Sequence, residues 1–405
     1  MTQRLYYHDS FLYDFEGEVC EVSETPRPAL VLDRTAFYPT SGGQVFDTGV
    51  ISTPNESAKV SEVSDAEDGR VIHYLEALPK QIKPGTKVHG LIDVTRRRDH
   101  MQQHTGQHVL SAAFVRLYNM PTVSFHMGDD YCSIDLDTPT LSKERIESTE
   151  RLANEIVLEN RTVSIRFVTR DEAERLGLRK LPPAERDELR LIEIHDFDIC
   201  ACGGTHVNQT GQIGCILLRK IEKVRQGCRV EFVAGQRAVA TARRDFTTLT
   251  EVAGLFSTHL HDVPQQVRKS LDEIRILRKQ REQSLDELAE AQAATLLAET
   301  PEADGRKLVV RSFTDRDMNA LKLLAQKLTR LAPSVVALLA TTFPQPSLVF
   351  AQSPGQSPDM GALLKETVGK FGGRGGGSKD MAQGGLPSTD VIQSALARAS
   401  ASLPS

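Results

Sequence analysis

The chain has 405 residues, 40% hydrophobic and 25% charged, with a formal net charge of −5. This is ordinary soluble composition for two to four domains, and it excludes a globally basic nucleic-acid binder, so any such partner must meet local cationic patches. Six cysteines are too few for a disulfide scaffold, the N-terminus lacks a secretory apolar core, and no apolar run is long enough to span a membrane, so a cytoplasmic location is expected.

Residues 1–93 read as β-rich. Runs such as Ala29-Leu30-Val31-Leu32 and Lys87-Val88-His89-Gly90-Leu91-Ile92 are separated by Pro, Gly and Asp/Asn clusters, which predicts a small barrel or sandwich. Pro39-Thr40-Ser41-Gly42-Gly43-Gln44 is a tight loop between such runs. From Thr95, a candidate cap, the pattern turns helical, with Met101, His104, His108, Ser111 and Val115 on one face and an end near Asn119-Met120-Pro121. Strands are expected over 124–135, 163–168, 189–194, 213–221 and 229–234. A second helix is expected over 142–160, with Ile146, Leu152, Ile156 and Val157 as its stripe. This irregular alternation favours α+β over a doubly wound sheet. Val267, Leu271, Ile274, Leu285 and Leu288 fit an a/d seam, interrupted by Arg278 and Arg281, in a long coiled-coil-like helix. Beyond Asp304-Gly305 a new unit begins, with strands at 308–310, 335–339 and 348–350, a helix over 321–331 and a glycine-dense tail over 371–385. The expected domains are a barrel (1–93), an α+β zinc domain (94–250), a helical linker (251–304) and a C-terminal α/β domain (305–405).

His104-Thr105-Gly106-Gln107-His108 places two imidazoles one helical turn apart, which suits two bonds of roughly 2.0–2.1 Å to one zinc ion. The same spacing also occurs on plain polar helix faces, and His100 extends the row. No Glu follows His104, which excludes the metalloprotease arrangement. Downstream, Cys202-Gly203-Gly204-Thr205-His206 can fold a turn that aims a thiolate and an imidazole at one point, with glycine supplying positive φ angles; an ordinary Gly turn beside a buried Cys is the alternative. Together, His104, His108, Cys202 and His206 make a complete ligand set for one Zn2+ per chain. A catalytic zinc typically keeps three protein ligands and an open position, so four donors imply a metal that orients substrate or expands its shell. Cys200 is read as a neighbour, because Cys202 begins the Gly-Gly turn.

The pairing of H-T-x-x-H with C-x-G-T-H resembles the editing domain shared by alanyl- and threonyl-tRNA synthetases and by the free-standing alanyl-tRNA editing proteins (the AlaX family). Phe37-Tyr38-Pro39-Thr40-Ser41-Gly42-Gly43-Gln44, with Asp47 and Gly49, resembles the Gly-Gly-Gln loop of the barrel beside the alanine-type editing domain. Arg96-Arg97 and Ile221-Glu222-Lys223 also match. Gly372-Gly373-Arg374-Gly375-Gly376-Gly377 with Asp380-Met381-Ala382-Gln383 resembles the C-terminal domain of alanyl-tRNA synthetase. Thr40-Ser41 departs from the Glu-containing form of the barrel loop, a departure that leaves the Gly42-Gly43-Gln44 core undisturbed. With the barrel beginning near Met1, no ATP-dependent activation site is expected, and the resemblance is to the long form of the stand-alone editor.

That resemblance implies a hydrolase acting on alanine tRNA mischarged with serine or glycine, with His104, His108, Cys202 and His206 catalytic through zinc. It implies substrate contacts from Gly42, Gly43, Gln44 and Thr205, and a hydroxyl from Thr122 or Ser124 that reads serine; His126 is a further candidate donor. Arg219, Lys220, Lys223, Arg225 and Arg229, opposed only by Glu222, are candidate phosphate contacts or a solvated hairpin edge. Arg374 and Lys379 are candidate tRNA contacts in the glycine-rich tail, and the C-terminal region is a candidate for homodimer formation. The alternatives are a non-catalytic zinc-stabilised tRNA-binding module and a phosphoesterase related through the C-terminal domain. The latter needs an Asp-His-His motif, which Asp99-His100-Met101 only approaches.

Overall fold

A computed structural model describes residues 1–176, 178, 188–225 and 227–403. The first strands are β1 (Gln3–Arg4), β2 (Asp14–Ser23), β3 (Ala29–Leu32), β4 (Arg34–Thr35), β5 (Gly49–Ser52), β6 (Ser57–Asp65), β7 (Val71–Leu75) and β8 (Lys87–Ile92). β1 and β4 form a short parallel pair, and the other six close into a barrel in the order β2-β3-β7-β6-β5-β8. Closure removes the exposed edges, and the inward positions, among them Phe15, Val19, Leu30, Leu32, Ile51 and Val63, fill the interior.

α1 (Val94–Tyr118) leaves the barrel directly. Asp93 caps it, not Thr95: the Asp93 carboxylate accepts the N–H groups of Thr95 and Arg96. Asn119 ends the helix in the left-handed conformation, as its position before Met120-Pro121 suggests. There follow β9 (Thr122–Met127), β10 (Cys132–Leu136), α2 (Lys143–Leu158), β11 (Val163–Thr169), α3 (Arg170–Arg175), β12 (Glu188–Ile194), β13 (Asp198–Ala201), β14 (Ile216–Val224), β15 (Gly227–Ala234) and α4 (Gly235–Leu255). They make two sheets, β14-β15-β10-β9 and β11-β12-β13. The strand expected from residue 213 begins at Ile216, because Thr210–Ile213 form a 3-10 turn. β13 was not expected: four residues beside a cysteine-rich turn carry too little alternation to read as a strand. α1 and α2 bury Val109, Leu110, Phe114, Ile156 and Val157 against Ile134, Val230 and Phe232 of the larger sheet.

The chain divides into two compact units, Met1–Glu251 and Val252–Ser405. In the second, α5 (Val263–Glu299) is one helix of 37 residues. The a/d seam does not pair within this unit, since Leu271, Ile274, Leu285 and Leu288 are exposed. The helix instead buries Ala289, Ala293 and Leu297, and the two small alanines let a neighbouring helix approach. After β16 (Glu302–Ala303) come β17 (Arg306–Phe313), α6 (Met318–Leu331), β18 (Val335–Thr341), β19 (Ser347–Gln352), α7 (Met360–Lys370), β20 (Arg374–Gly377), β21 (Met381–Gly385) and α8 (Ile392–Ala401). The six strands form one sheet, ordered β16-β17-β18-β19-β21-β20. β18 reads as unbroken apolar sequence because both its faces are covered. Val335, Ala337 and Leu339 meet α5 and α6, while Val336, Leu338 and Ala340 meet α7 and α8. The glycine-dense tail is the β20–β21 hairpin of this sheet.

His73 sits fully buried in the barrel, its Nδ1 donating to the Leu30 carbonyl at 3.2 Å and its Nε2 2.8 Å from Thr35 Oγ1. Burial lowers its pKa from 6.5 to about 4. The folded chain therefore binds this proton less readily than the unfolded chain. The stability it contributes is intact above pH 6.5 and falls as pH drops toward 4, by about 3 kcal/mol in all. Denaturation of wild type and His73→Gln at pH 7 and pH 4 should show the wild-type advantage shrinking by about that amount. A difference that does not change with pH would show that His73 does not titrate in this way.

Candidate metal centre

α1 is buried almost all round from His100 to Phe114, although His100, Gln103, His104, Thr105, Gln107, His108 and Ser111 are polar. Buried polar groups on a helix are costly unless they find partners. Gln103 pairs with the backbone of Ala234 through both its amide atoms, at 2.8 and 2.9 Å. His104 and His108 turn toward one point, Gln107 donates to Ser111 at 2.8 Å, and His100 Nδ1 is buried with no hydrogen-bond partner among the described residues. The donor atoms of His104, His108, Cys202 and His206 all lie within 4.8 Å of one another. Cys202 Sγ is 3.4 Å from His104 Nε2 and 3.3 Å from His206 Nε2. Donors of a tetrahedral zinc site stand roughly 3.3–3.7 Å apart, given its usual bond lengths. Three imidazoles and one thiol at these separations fit such an ion.

The barrel supplies the orientation of His104. Gln44, fully buried, donates from Nε2 to Thr205 Oγ1 at 2.9 Å, and its Oε1 accepts the Thr205 N–H at 3.1 Å. The backbone N–H can only donate, so the amide cannot be flipped. Oε1 then also accepts His104 Nδ1–H at 2.7 Å, which leaves Nε2 with its lone pair bare. His206 is treated similarly: Thr105 Oγ1 lies 3.2 Å from its Nδ1 and accepts the Val207 N–H at 3.1 Å. Burial lowers the His104 pKa to about 3 and holds His206 well below its usual range, with the Arg190 cation adding to both. The imidazoles are thus neutral, as metal ligands must be. Burial pushes the Cys202 thiol up, offset by the Gly204 N–H and by Arg190.

Two glycines make the approach possible. Gly43 has φ +86°, and a Cβ there would meet the Phe125 carbonyl at 2.6 Å. Gly204 does not need a positive φ, contrary to the expectation for this turn; neither it nor Gly203 adopts one. It needs space, because a Cβ would stand 2.2 Å from the His104 ring. Sequence reasoning missed Phe125, whose ring stacks on His104 with centroids 5.4 Å apart. It also missed Ser10, whose hydroxyl takes the His206 N–H at 3.2 Å. Nothing in their local sequence marks either residue.

The remaining predicted residues are placed as follows. Gln44 and Thr205 are buried and engaged with the ligands, while Gly42 is exposed at the loop tip. Thr122 faces α1, its hydroxyl 2.6 Å from Ser111 Oγ, which in turn accepts from Gln107 at 2.8 Å. Ser124, across a register shift in β9, donates instead to Asp135 at 2.8 Å. His126 is exposed. The basic cluster is not opposed only by Glu222: Arg219 pairs with Asp245, Lys220 with Glu222 and Arg229 with Asp135. Its strand β14 is the sheet edge opposite β9, about 14 Å away across three strand spacings. The structure therefore does not bring Arg219, Lys220, Lys223 and Arg225 to the β9 edge that borders the donors. Arg374 and Lys379 are exposed in and just after β20.

Residues 4–96 match the family described as tRNA synthetases class II (A). Residues 189–230 match the threonyl and alanyl tRNA synthetase second additional domain, and residues 305–403 the DHHA1 domain. Alanine–tRNA ligases of Thermococcus kodakarensis and Pyrococcus furiosus are 33% and 32% identical over 95% and 99% of this chain. The chain spans 41% and 44% of their lengths. The C-Ala domain of Aquifex aeolicus alanyl-tRNA synthetase is similar at 22% identity and a TM-score of 0.23, over 24% of this chain and 91% of that one, a likeness too slight to bear on the fold. The alanyl-tRNA editing protein AlaX-L of Pyrococcus horikoshii is 30% identical over 387 residues, which is 95% of this chain and 94% of that protein. With its barrel, its His/Cys donor cluster and this end-to-end match, the chain belongs to the family of alanyl-tRNA editing proteins of the AlaX-L kind.

Proposed function

We propose that the protein is a zinc-dependent hydrolase that cleaves the aminoacyl ester of alanine tRNA mischarged with serine, and by the same route glycine. The observation that carries this reading is the four-donor cluster, bared by Gln44 and Thr105, in a chain related to alanyl-tRNA editing proteins. His104, His108, Cys202 and His206 would hold one Zn2+ per chain, which supplies a Lewis acid for the ester carbonyl or an anchor for the amino group. The ester is already activated, so the chain's own work is positioning. The Gly42-Gly43 loop and Phe125 border the donors. Thr122 is our choice over Ser124 as reader of the serine hydroxyl, because it stands on the α1 side while Ser124 is spent on Asp135. Where Ser111, accepting from Gln107, donates to Thr122, the Thr122 proton is left for substrate. Alanine would leave that group unpaired, and such sites discriminate strongly. Six free thiols fit the reducing cytoplasm, and no helix among the described residues is long and apolar enough to cross a membrane. The second unit is assigned to tRNA binding through Arg374 and Lys379, or to pairing of two copies.

Metal analysis should find one zinc per chain in wild type and well under half of that in Cys202→Ala. Gln44→Ala should keep the donors but weaken zinc binding by roughly 10–100-fold. Full occupancy in Cys202→Ala would remove Cys202 from the ligand set.

Deacylation of Ser- and Ala-charged alanine tRNA should be fast for the first and slow for the second, and a chelator should abolish it. Thr122→Val should reduce the preference by roughly 10-fold or more. Equal rates on both substrates would refute the selectivity. No hydrolysis of either by zinc-loaded protein would leave a tRNA-binding module.

A chain ending at Glu251, the unit boundary, should keep zinc and a near-normal rate at saturating tRNA, with apparent affinity lowered by roughly 10²-fold or more. A dimer lost on truncation, with unchanged affinity per chain, would assign the second unit to assembly instead.

A further inference from the structure

Each ligand imidazole of the candidate centre has its Nδ1 covered by a group outside the donor set. For His104 the cover is Gln44 Oε1, and for His206 it is Thr105 Oγ1. His108 is different. Its Nδ1 stands 3.0 Å from Cys200 Sγ and 4.0 Å from Asp198 Oδ2, so it faces a soft acceptor with a carboxylate alongside. His108 Nε2 is farther from that sulfur, at 3.9 Å.

The strand explains why these two side chains arrive together. In β13 residues two apart share a face, and Asp198 and Cys200 pair with Ile194 and Ile192 of β12. Ile199 and Ala201 point the other way and pack on the cluster of Val168, Ala173, Leu189 and Leu191. That apolar anchorage holds Asp198 and Cys200 toward α1. The Asp198 and His108 side chains are each only 6% exposed, so the carboxylate acts where water screens it little.

We propose that Cys200 and Asp198 are positioning residues for His108: they hold its Nδ1–H outward, so that Nε2 joins the other three donors, and the carboxylate makes the imidazole a stronger ligand. The inference rests on the metal reading above and goes beyond it by assigning β13 a part in binding. It also separates the two cysteines of Cys200-Ala201-Cys202 by role: Cys202 as ligand, Cys200 as support.

Cobalt(II) loading of the full chain tests this without reference to hydrolysis, because thiolate ligands give a charge-transfer band whose intensity counts them. Wild type, Cys200→Ala, Cys200→Ser, Asp198→Ala and Asp198→Asn would be compared for band intensity per bound cobalt and for affinity by chelator competition. All five should show the same one-thiolate band. Affinity should fall roughly 10–100-fold in Cys200→Ala and Asp198→Ala, and Cys200→Ser and Asp198→Asn, which keep an acceptor, should recover part of it. The two conservative variants carry the test if an alanine variant does not fold: their affinity should lie below wild type by a smaller factor. A band halved by losing Cys200 would make it a ligand and overturn the proposal. Affinity unchanged from wild type in the folded variants would also overturn it. Wild type that binds no cobalt would refute the metal reading itself, and the inference with it.

Discussion

The centre depends on one buried ion pair. Arg97, on the first turns of α1, and Asp47, after the barrel loop, are both fully buried. Burying two charges is costly, and the cost is offset only where every remaining polar site is also satisfied. Here it is met on both sides. Arg97 contacts Asp47 through Nε and Nη2, and donates to the Ser10 carbonyl at 2.8 Å and the Ala36 carbonyl at 2.5 Å. Asp47 also accepts the Tyr38 N–H at 2.7 Å. The pair therefore fastens the N-terminal segment, the barrel loop and α1 at one place. Gln44 is three residues before Asp47, and His104 is two turns after Arg97. With both ends fixed, the Gln44 amide meets the His104 ring without a search.

Ser10 extends the same construction. Its carbonyl is tied to Arg97 while its hydroxyl takes the His206 backbone N–H. Arg190 completes the far side, donating to the Tyr7 carbonyl at 2.8 Å and the Cys202 carbonyl at 2.5 Å. Both halves of the donor set, distant in sequence, are thereby referred to the first ten residues and the barrel. A site built this way is held in place by the protein's own contacts, and burial keeps the His104 and His206 imidazoles neutral. Folding accepts several buried polar groups on α1, and the donor cluster they form is pre-organised.

The second unit follows a different logic. Its sheet is covered on both faces, and its strands are short apolar runs that need no special partners. The exposed Leu271, Ile274, Leu285 and Leu288 show that period alone is a poor guide to what a helix buries. α5 is buried instead at Ala289, Ala293 and Leu297, and the small size of the two alanines decides how close a neighbour can come, a quantity that hydrophobic periodicity does not contain.

Much of this protein was legible in its sequence, for a physical reason. The barrel, α1, α2 and the apolar strands of the second unit are dictated by local alternation and caps, which act within a few residues. The donor set was legible because two imidazoles one turn apart, and a Cys and His flanking Gly-Gly, are local patterns with few other uses in combination. The tertiary structure decided what depends on residues far apart in the chain. Gln44 proved to be a support for His104, a contact across 60 positions. Gly204 proved necessary for clearance from His104 and not for its backbone angles. Thr122 and Ser124, alike as strand hydroxyls, were separated by a register shift in β9 that local sequence does not announce. In the basic cluster near residue 220, Arg219 and Arg229 pair with Asp245 and Asp135, which lie 26 and 94 positions away. Side-chain chemistry is written locally, but which atoms it meets is set only when the chain closes on itself.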